Sequence, residues 1–293
     1  MLIFHKTEDL KKQLLRERQT GKKLGFVPTM GALHDGHMEL IKASRKEQDR
    51  TICSIFVNPT QFNDPSDFEK YPQTLQQDIK KLETMQCSIL FLPSVEEMYP
   101  SGTAMLEQYP IGSLETILEG KYRPGHFQGV CQIVDRLLTI VEPDTLYLGQ
   151  KDYQQCMVLH RLLELKKYKQ HTNIKIIPTL REEDGLAMSS RNIRLDNESR
   201  KTASQIYQCL LNMKTLYGKQ ELEEIKTKAQ EHLTRHGFRV DYAEIADALT
   251  LEPLRKYNPE QHAVALIAAF INDVRLIDNL VLTDTNTDSK VSN

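Results

Sequence analysis

Short apolar runs alternate with amphipathic stretches over the first 180 residues of the chain. The apolar runs predict strands at 24–27, 51–57, 88–92, 146–148 and 174–177. Apolar positions at helical spacing predict helices at about 37–47, 72–85 and 130–141, and one that runs through about residue 166. Pro72 is expected to open the second of them, because proline is tolerated in a first turn. Alternation of this kind indicates an α/β fold with a doubly wound parallel sheet.

The pattern changes after Pro178. Two long amphipathic helices and two extended stretches are predicted, at about 197–217, 220–236, 240–245 and 263–270. These elements indicate a second, smaller α+β domain, and the polar residues that follow predict a disordered tail. The expected division is therefore 1–178, 179–282 and 283–293.

Composition and charge argue against several classes of function. The net charge is −2 at pH 7, so no excess of positive charge favours nucleic acid or a membrane surface. No apolar run approaches the roughly 18 residues needed to span a bilayer. The five cysteines are odd in number, widely spaced and mostly in apolar surroundings, which indicates buried thiols rather than a disulfide framework or a zinc site. We therefore expect a cytoplasmic protein.

The segment 25–37 has the pattern of a phosphate-binding turn. A short strand leads into a glycine-containing turn, His34 and His37 lie three residues apart, and a helix follows. Backbone N–H groups and the helix dipole attract anions at such a helix start. Both imidazoles could donate N–H groups to a phosphate and stabilise developing negative charge. Two alternatives remain open: the histidines could only cap the helix, or they could bind a metal, although no third ligand at suitable spacing is evident.

Two further loops carry polar groups that could serve a ligand. Asn58 and Gln61 follow the second apolar run, at the sheet edge where α/β proteins bind ligands. A glutamine amide can bind a hydroxyl or a carboxylate without adding charge, but an ordinary surface turn would carry the same residues. The glycine-rich stretch 120–129 contains Arg123 and His126, which could reach a phosphate; its glycines could equally serve turn geometry alone.

The remaining candidate loops are 149–155 and 184–192. Lys151 suits a phosphate and Asp152 a ribose hydroxyl, although helix capping beside a solvated lysine is the alternative. In the second loop, serine hydroxyls and Arg191 could hold a polyphosphate from the side opposite the histidines, or the loop could be a plain linker. The placement of all these groups at the strand ends of one α/β domain and its hinge is harder to explain by chance than any single motif.

Together these motifs resemble those of the pantoate–β-alanine ligase family. The resemblance covers nearly the whole chain and rests on the segments 28–37, 56–62, 123–129, 149–155, 188–192, 240–242 and 275–279. His34–His37 stands where class I aminoacyl-tRNA synthetases have their HIGH motif, and Met188–Arg191 where they have KMSKS. The resemblance implies a Rossmann-like N-terminal domain, a smaller C-terminal domain that acts as a lid, and a homodimer.

The implied reaction is the ATP-dependent condensation of (R)-pantoate with β-alanine to pantothenate. The pantoate carboxylate attacks the α-phosphorus of ATP, which gives pantoyl adenylate and diphosphate. The β-alanine amine then attacks the activated acyl carbon and releases AMP. The resemblance implies His34, His37 and Lys151 as catalytic residues, with His37 as the usual proton donor. Their shared task is positioning and charge stabilisation at the α-phosphate.

The resemblance also implies the binding residues. Those for ATP are Met30, Gly31, Ala32, Leu33, His34, Asp35, Gly36, His37, Gly149, Gln150, Lys151, Asp152, Leu180, Met188, Ser189, Ser190 and Arg191. Those for pantoate, or in support of its site, are Gln61, Gln155, Asn58, Arg123 and His126, with Gln61 also near the β-alanine position. Mg²⁺ is expected with ATP, held by phosphates and water or by Asp78, the one carboxylate in the stretch 76–78 that matches an acidic segment of some relatives.

Two other functions fit parts of this pattern. An adenylyltransferase of the same superfamily would stop after nucleotidyl transfer, and a non-catalytic nucleotide-binding or metal-binding module would use the same loops without chemistry. The paired glutamines Gln61 and Gln155 favour the ligase, because they furnish a site for an acyl acid.

Overall fold

The computed structural model describes residues 1–63, 65–104 and 106–283. Residues 284–293, the greater part of the predicted polar tail, lie outside the described residues. The chain forms two compact units. The first comprises Met1–Thr116, Arg123–Leu180 and Met188–Ser190, and the second comprises Ile117–Tyr122, Arg181–Ala187 and the described chain from Arg191 onward. The second unit thus includes two short segments, Ile117–Tyr122 and Arg181–Ala187, that lie between parts of the first unit in sequence. No sequence pattern predicts that these segments belong to the second unit.

The first unit is built on a six-stranded parallel sheet. Its strands are β1 (Leu2–Phe4), β2 (Leu24–Thr29), β3 (Arg50–Ile55), β4 (Ile89–Phe91), β5 (Thr145–Gly149) and β6 (Asn173–Ile177). Their order across the sheet is β1-β4-β3-β2-β5-β6, and every neighbouring pair is parallel. Central strands are almost continuously apolar because helices cover both faces of such a sheet. The predicted α/β, doubly wound fold class is confirmed.

The helices of the described chain match most of the predicted amphipathic stretches. In chain order they are α1 (Thr7–Gln19), α2 (Asp35–Glu47), α3 (Pro65–Glu69), α4 (Leu75–Thr84), α5 (Val95–Met98), α6 (Leu118–Tyr122), α7 (His126–Val141), α8 (Tyr153–Leu165), α9 (Asn197–Ala203), α10 (Gln205–Leu216) and α11 (Leu222–Arg235). Short 3₁₀ turns lie at Pro59–Gln61, Gly112–Glu115, Gln150–Asp152, Tyr168–Gln170 and Ser190–Arg194. No helix among the described residues combines the length and the apolar character that a bilayer span requires.

Two of the helix predictions are wrong in detail. Pro72 does not open α4, which begins at Leu75. The start is set instead by Thr74, whose hydroxyl and carbonyl bond the side chain and the backbone N–H of Asp78. The helix expected at about 197–217 is the separate helices α9 and α10, which meet at Ser204.

The strand order places a topological switch point between β2 and β5. From β2 the chain moves through β3 to β4 on one side, and β5 then lies on the other side of β2. At such a point the loops that follow the two strands diverge and leave a crevice at the carboxyl edge of the sheet. The loop after β2 ends at His34, and His37 follows in the first turn of α2; the 3₁₀ turn after β5 carries Lys151. The topology therefore brings two predicted phosphate-binding loops to one edge.

The second unit is the predicted smaller α+β structure. Its antiparallel sheet has the order β7-β8-β9, formed by β7 (Arg239–Asp247), β8 (Ala263–Ile271) and β9 (Val274–Val281). The central strand β8 packs with α10 and α11 in one apolar core. The strand β9 was not predicted, because Arg275, Asp278 and Asn279 break its apolar pattern. These polar side chains are used in buried contacts within the unit.

Candidate active site

The loop that joins β2 to α2 is held in a strained conformation. Ala32 has φ of +48°, in the left-handed region that side chains other than glycine rarely adopt. Asp78 of α4 compensates, because its carboxylate accepts the backbone N–H groups of Ala32 at 2.9 Å and Leu33 at 2.8 Å. Lys81, one turn further along α4, donates to the Leu33 carbonyl. Backbone strain of this kind persists only where the surroundings over-determine it, and it concentrates at functional sites.

These contacts bear on Asp78 as a candidate ligand for Mg²⁺. The side chain is 1% exposed, and both of its oxygens already accept backbone N–H groups. Its observed role is therefore to hold the loop 30–34, which is called the histidine loop below. Among the described residues there is no cluster of three or more His, Cys, Asp or Glu side chains that could bind a metal ion.

His34 and His37 form a close pair at the start of α2. Their ring centroids are 4.1 Å apart. The Nδ1 atom of His37 accepts the backbone N–H of His34 at 3.3 Å. In a neutral imidazole only one nitrogen carries a proton, so this contact puts the proton of His37 on Nε2, where it can be donated to a ligand. Capping and ligand binding are therefore compatible roles for His37 rather than alternatives.

Both histidines are neutral at neutral pH in this structure. Burial is the main cause, and it lowers the pKa of His34 to about 2, with His37, Lys151 and Lys81 adding electrostatic repulsion. Burial also lowers the pKa of His37 to about 4, against the opposing attraction of Asp152 and Asp78. Lys151 acts on both rings, so the electrostatics link the loop after β2 to the loop after β5. Such coupled, perturbed groups are typical of functional sites.

Residues of the predicted serine–arginine loop pack on the histidine loop. The hydroxyl of Ser190 donates to the Ala32 carbonyl at 3.0 Å. Gly36 leaves room for the His34 ring, because a Cβ at this position would lie 2.9 Å from two of its atoms and 3.9 Å from the Cβ of Met188. Met188 in turn donates its backbone N–H to the carbonyl of Leu180 at 3.0 Å. Arg191, the one charged residue of the motif Met188–Asn192, belongs to the second compact unit.

A second cluster surrounds Gln61 in the turn after β3. Asn58 is 1% exposed and donates its amide to the Gln61 Oε1 at 3.0 Å and to the Gly129 carbonyl at 3.1 Å. Its own oxygen accepts the hydroxyl of Tyr99 at 2.7 Å. The bond from Asn58 fixes which side of the Gln61 amide is the oxygen, so the NH₂ group lies on the side away from Asn58. The helix α7 approaches closely because Gly129 has no side chain: a Cβ would lie 2.4 Å from the Thr60 carbonyl oxygen.

Arg123 and His126 support the same turn. The Nδ1 of His126 bonds the Gln61 carbonyl at 2.7 Å, and its Nε2 lies 3.1 Å from the Arg123 guanidinium. Because arginine can only donate, Nε2 accepts and Nδ1 carries the proton given to Gln61. His126 is 6% exposed. The two residues therefore fix the backbone of Gln61 from the start of α7.

The third loop follows β5. Gln150–Asp152 form a 3₁₀ turn that leads directly into α8, and the Lys151 Nζ lies 3.8 Å from a carboxylate oxygen of Asp152. Gln155 lies in the first turn of α8 and is half-buried. Its neighbour Gln154 is buried and donates to the Leu114 carbonyl at 2.9 Å, so it has a packing role. Lys151 and Gln155 thus lie in two consecutive turns, the 3₁₀ turn after β5 and the first turn of α8.

Sequence reasoning missed two supporting residues: Tyr99 orients Asn58, and Lys81 bonds the loop before α2. Asp78 was named only as a possible metal ligand, and its bonds to the same loop were not predicted. Asp78 and Lys81 lie three apart on one predicted helix, so the sequence already places them side by side on one helix face. Tyr99 had no such signal, because it bonds Asn58 from a position 41 residues further along the chain.

The comparison with known proteins agrees with this geometry. The family model described as "Pantoate-beta-alanine ligase" matches residues 2–281. The chain belongs to the pantoate–β-alanine ligase family. It is 43% identical over 283 residues to a pantothenate synthetase of Bacteroides fragilis, with 96% of this chain and 98% of the relative covered. The family and the ligase class predicted from the motifs are confirmed.

Solved structures of the family share the fold. The crystal structure of pantothenate synthetase from Thermus thermophilus superposes with a TM-score of 0.89 at 40% identity, covering 97% of this chain and 100% of that one. The pantoate–β-alanine ligase of Francisella tularensis, complexed with "Beta-gamma ATP" and β-alanine, gives 0.80 at 38% identity over 96% of this chain and 98% of that one. The Rossmann-like first unit and the small second unit are thus those of the family.

Proposed function

We propose that this ligase condenses (R)-pantoate with β-alanine through a pantoyl-adenylate intermediate at the β2–β5 switch point. One observation carries the proposal: a pair of neutral histidines lies at the N-terminus of α2, within electrostatic reach of Lys151. The Francisella relative, crystallised with an ATP derivative and β-alanine, supports ATP and β-alanine as co-substrates. The two units would serve as nucleotide-binding domain and lid.

In the first step, the pantoate carboxylate attacks the α-phosphorus of ATP. His37 donates Nε2–H to the phosphate oxygens, and His34 and Lys151 stabilise the charge that develops there. Asp152 and Gly149 bind the ribose side, while Ser189, Ser190 and Arg191 close over the diphosphate. A negative phosphate raises the pKa of a neighbouring imidazole, so the neutral pair becomes a proton source only when ATP is present.

In the second step, the β-alanine amine attacks the acyl carbon and AMP leaves. Gln61 and Gln155 orient pantoate throughout. Neutral amides suit this task, because a cation would pair with the carboxylate that must remain nucleophilic. The network of Asn58, Arg123 and His126 keeps Gln61 in place.

Mg²⁺, a homodimer and a cytoplasmic location complete the proposal. Asp78 is engaged with the loop backbone, so the expected holders of the metal are the ATP phosphates and water, the arrangement that Mg²⁺ commonly prefers. When bound, the cation neutralises phosphate charge; positioning and proton donation remain with the protein side chains.

A product assay tests the proposal. The enzyme is incubated with ATP, Mg²⁺ and pantoate, with and without β-alanine, and AMP and pantothenate are quantified. We expect sustained AMP release and pantothenate only when β-alanine is present. Diphosphate release with stable pantoyl adenylate, and no pantothenate when β-alanine is added, would indicate an adenylyltransferase instead. Absence of turnover in every mixture would indicate a binding module. A His37→Ala variant as active as the natural protein would instead contradict the role proposed for His37.

A further inference from the structure

Two segments of the second unit lead directly into loops of the candidate site. The segment Ile117–Tyr122, which contains α6, continues into Arg123. The segment Arg181–Ala187 continues into Met188. Each is fixed within the second unit by an arginine–carboxylate pair whose carboxylate is buried, and each pair has one residue on the strand β9.

The first pair joins Glu119 to Arg275. The Arg275 guanidinium makes two bonds to the Glu119 carboxylate, of 2.7 and 2.8 Å, and a third of 2.8 Å through Nε to Asp241 of β7. Tyr242 adds its hydroxyl to Glu119 at 2.9 Å. Bidentate contacts of this kind fix orientation as well as distance. The segment that carries Glu119 therefore has one defined position on the sheet of the second unit.

The second pair joins Arg181 to Asp278. Its two bonds are 2.6 and 3.1 Å long, and Asp278 is 5% exposed. The guanidinium also donates to the Gly185 carbonyl at 3.1 Å and stacks 3.8 Å from the Tyr207 ring centroid. Since Arg181 and Ala187 form a β-bridge, the pair fixes the whole turn between them.

The continuation of each segment shows what the pair could control. Four residues beyond Tyr122, His126 bonds the Gln61 carbonyl, and Arg123 bonds His126. Three residues beyond Ala187, Ser190 bonds the Ala32 carbonyl in the histidine loop. The first pair is therefore linked by covalent continuity to the proposed pantoate side, and the second pair to the proposed nucleotide side.

We infer that Glu119–Arg275 and Arg181–Asp278 are positioning pairs. Through them the second unit positions two loops separately: Arg123–His126 on the proposed pantoate side and Met188–Ser190 on the proposed nucleotide side. The inference rests on the proposed function, which assigns the two loops to different substrates. The segments 240–242 and 275–279 are part of the family resemblance. The inference gives their polar residues Asp241, Tyr242, Arg275 and Asp278 a role.

Steady-state kinetics of matched variants test this inference. We expect Glu119→Gln to raise the pantoate KM by about tenfold with the ATP KM within about twofold, the size expected for one charged hydrogen bond. Asp278→Asn should show the reverse split. The control is Glu244→Gln, the same chemical change on β7. Glu244 pairs with Lys226 of α11 at 2.9 Å, and neither residue lies in the segments 117–122 and 181–187. This variant should lower Tm and leave both KM values unchanged.

Arg275→Lys serves as the conservative variant. It keeps the charge but cannot make the bidentate contact, so a smaller rise in pantoate KM is expected, and it carries the test if Glu119→Gln does not fold. Equal changes of both KM values in each variant, or values unchanged from the natural protein in folded Glu119→Gln and Asp278→Asn, would overturn the inference. A natural protein that forms no pantothenate would instead refute the proposed function, so the two failures are distinguishable.

Discussion

At the scale of single residues, the decisive feature is a histidine pair kept neutral beside a helix N-terminus. Folding lowers the pKa of His34 to about 2 and of His37 to about 4, from an ordinary value of 6.5. Between pH 6.5 and about 4 the unfolded chain therefore binds more protons than the folded one, and acidification over this range destabilises the ligand-free protein. A bound polyphosphate favours the protonated rings and opposes that loss. ATP binding and proton binding should thus be linked.

The linkage is measurable as proton uptake. We expect ATP binding at pH 6.5 to take up protons, seen by titration calorimetry in two buffers of different ionisation enthalpy. His37→Asn should reduce the uptake, because the amide cannot be protonated in this range, whereas His236→Asn at the exposed end of α11 should not. Since ATP's own ionisation is common to all three proteins, the difference isolates His37. Equal uptake in the three would contradict the pKa assignment.

At the scale of elements, α4 acts as a brace for the loop between β2 and α2. Asp78→Asn keeps one acceptor but turns an amide NH₂ group toward a backbone N–H, which leaves a buried donor unpaired. We expect the adenylation rate to fall by about tenfold to a hundredfold, the effect of about 1–3 kcal/mol. Rapid-quench measurement of pantoyl adenylate gives this rate directly.

The Mg²⁺ dependence of the same variant separates the two roles considered for Asp78. A bracing role predicts a lower rate at every Mg²⁺ concentration, with the half-saturating concentration unchanged. A ligand role predicts a half-saturating concentration that rises in Asp78→Asn. Lys80→Gln, a charge change on the same helix, is the control and should leave both the adenylation rate and the Mg²⁺ dependence as in the natural protein.

The elements also show where sequence reasoning succeeds and where it stops. The parallel sheet was predictable because strands such as β3 are buried on both faces and so carry an uninterrupted apolar signal. The strand β9 was missed because Arg275 and Asp278 are buried in ion pairs with partners far away in sequence. The motifs predict His34, His37 and Gln61 as site residues, but the bond from Tyr99 to Asn58 joins positions 41 apart in sequence and belongs to no motif. Local patterns record periodicity and turn chemistry, whereas long-range polar contacts leave no periodic trace.

At the scale of the whole molecule, the chain crosses between its two units within the motif Met188–Asn192. Met188–Ser190 belong to the first unit and Arg191 to the second. If the second unit acts as a lid, ATP must order this crossing, because the serines and Arg191 are proposed to bind the same diphosphate. Hydrogen exchange followed by mass spectrometry should then show protection of a peptide spanning 188–192 at saturating ATP. Exchange in α10, within the second unit, should stay unchanged and serves as the internal control. Exchange at 188–192 that is unchanged at saturating ATP would contradict a lid role for the second unit.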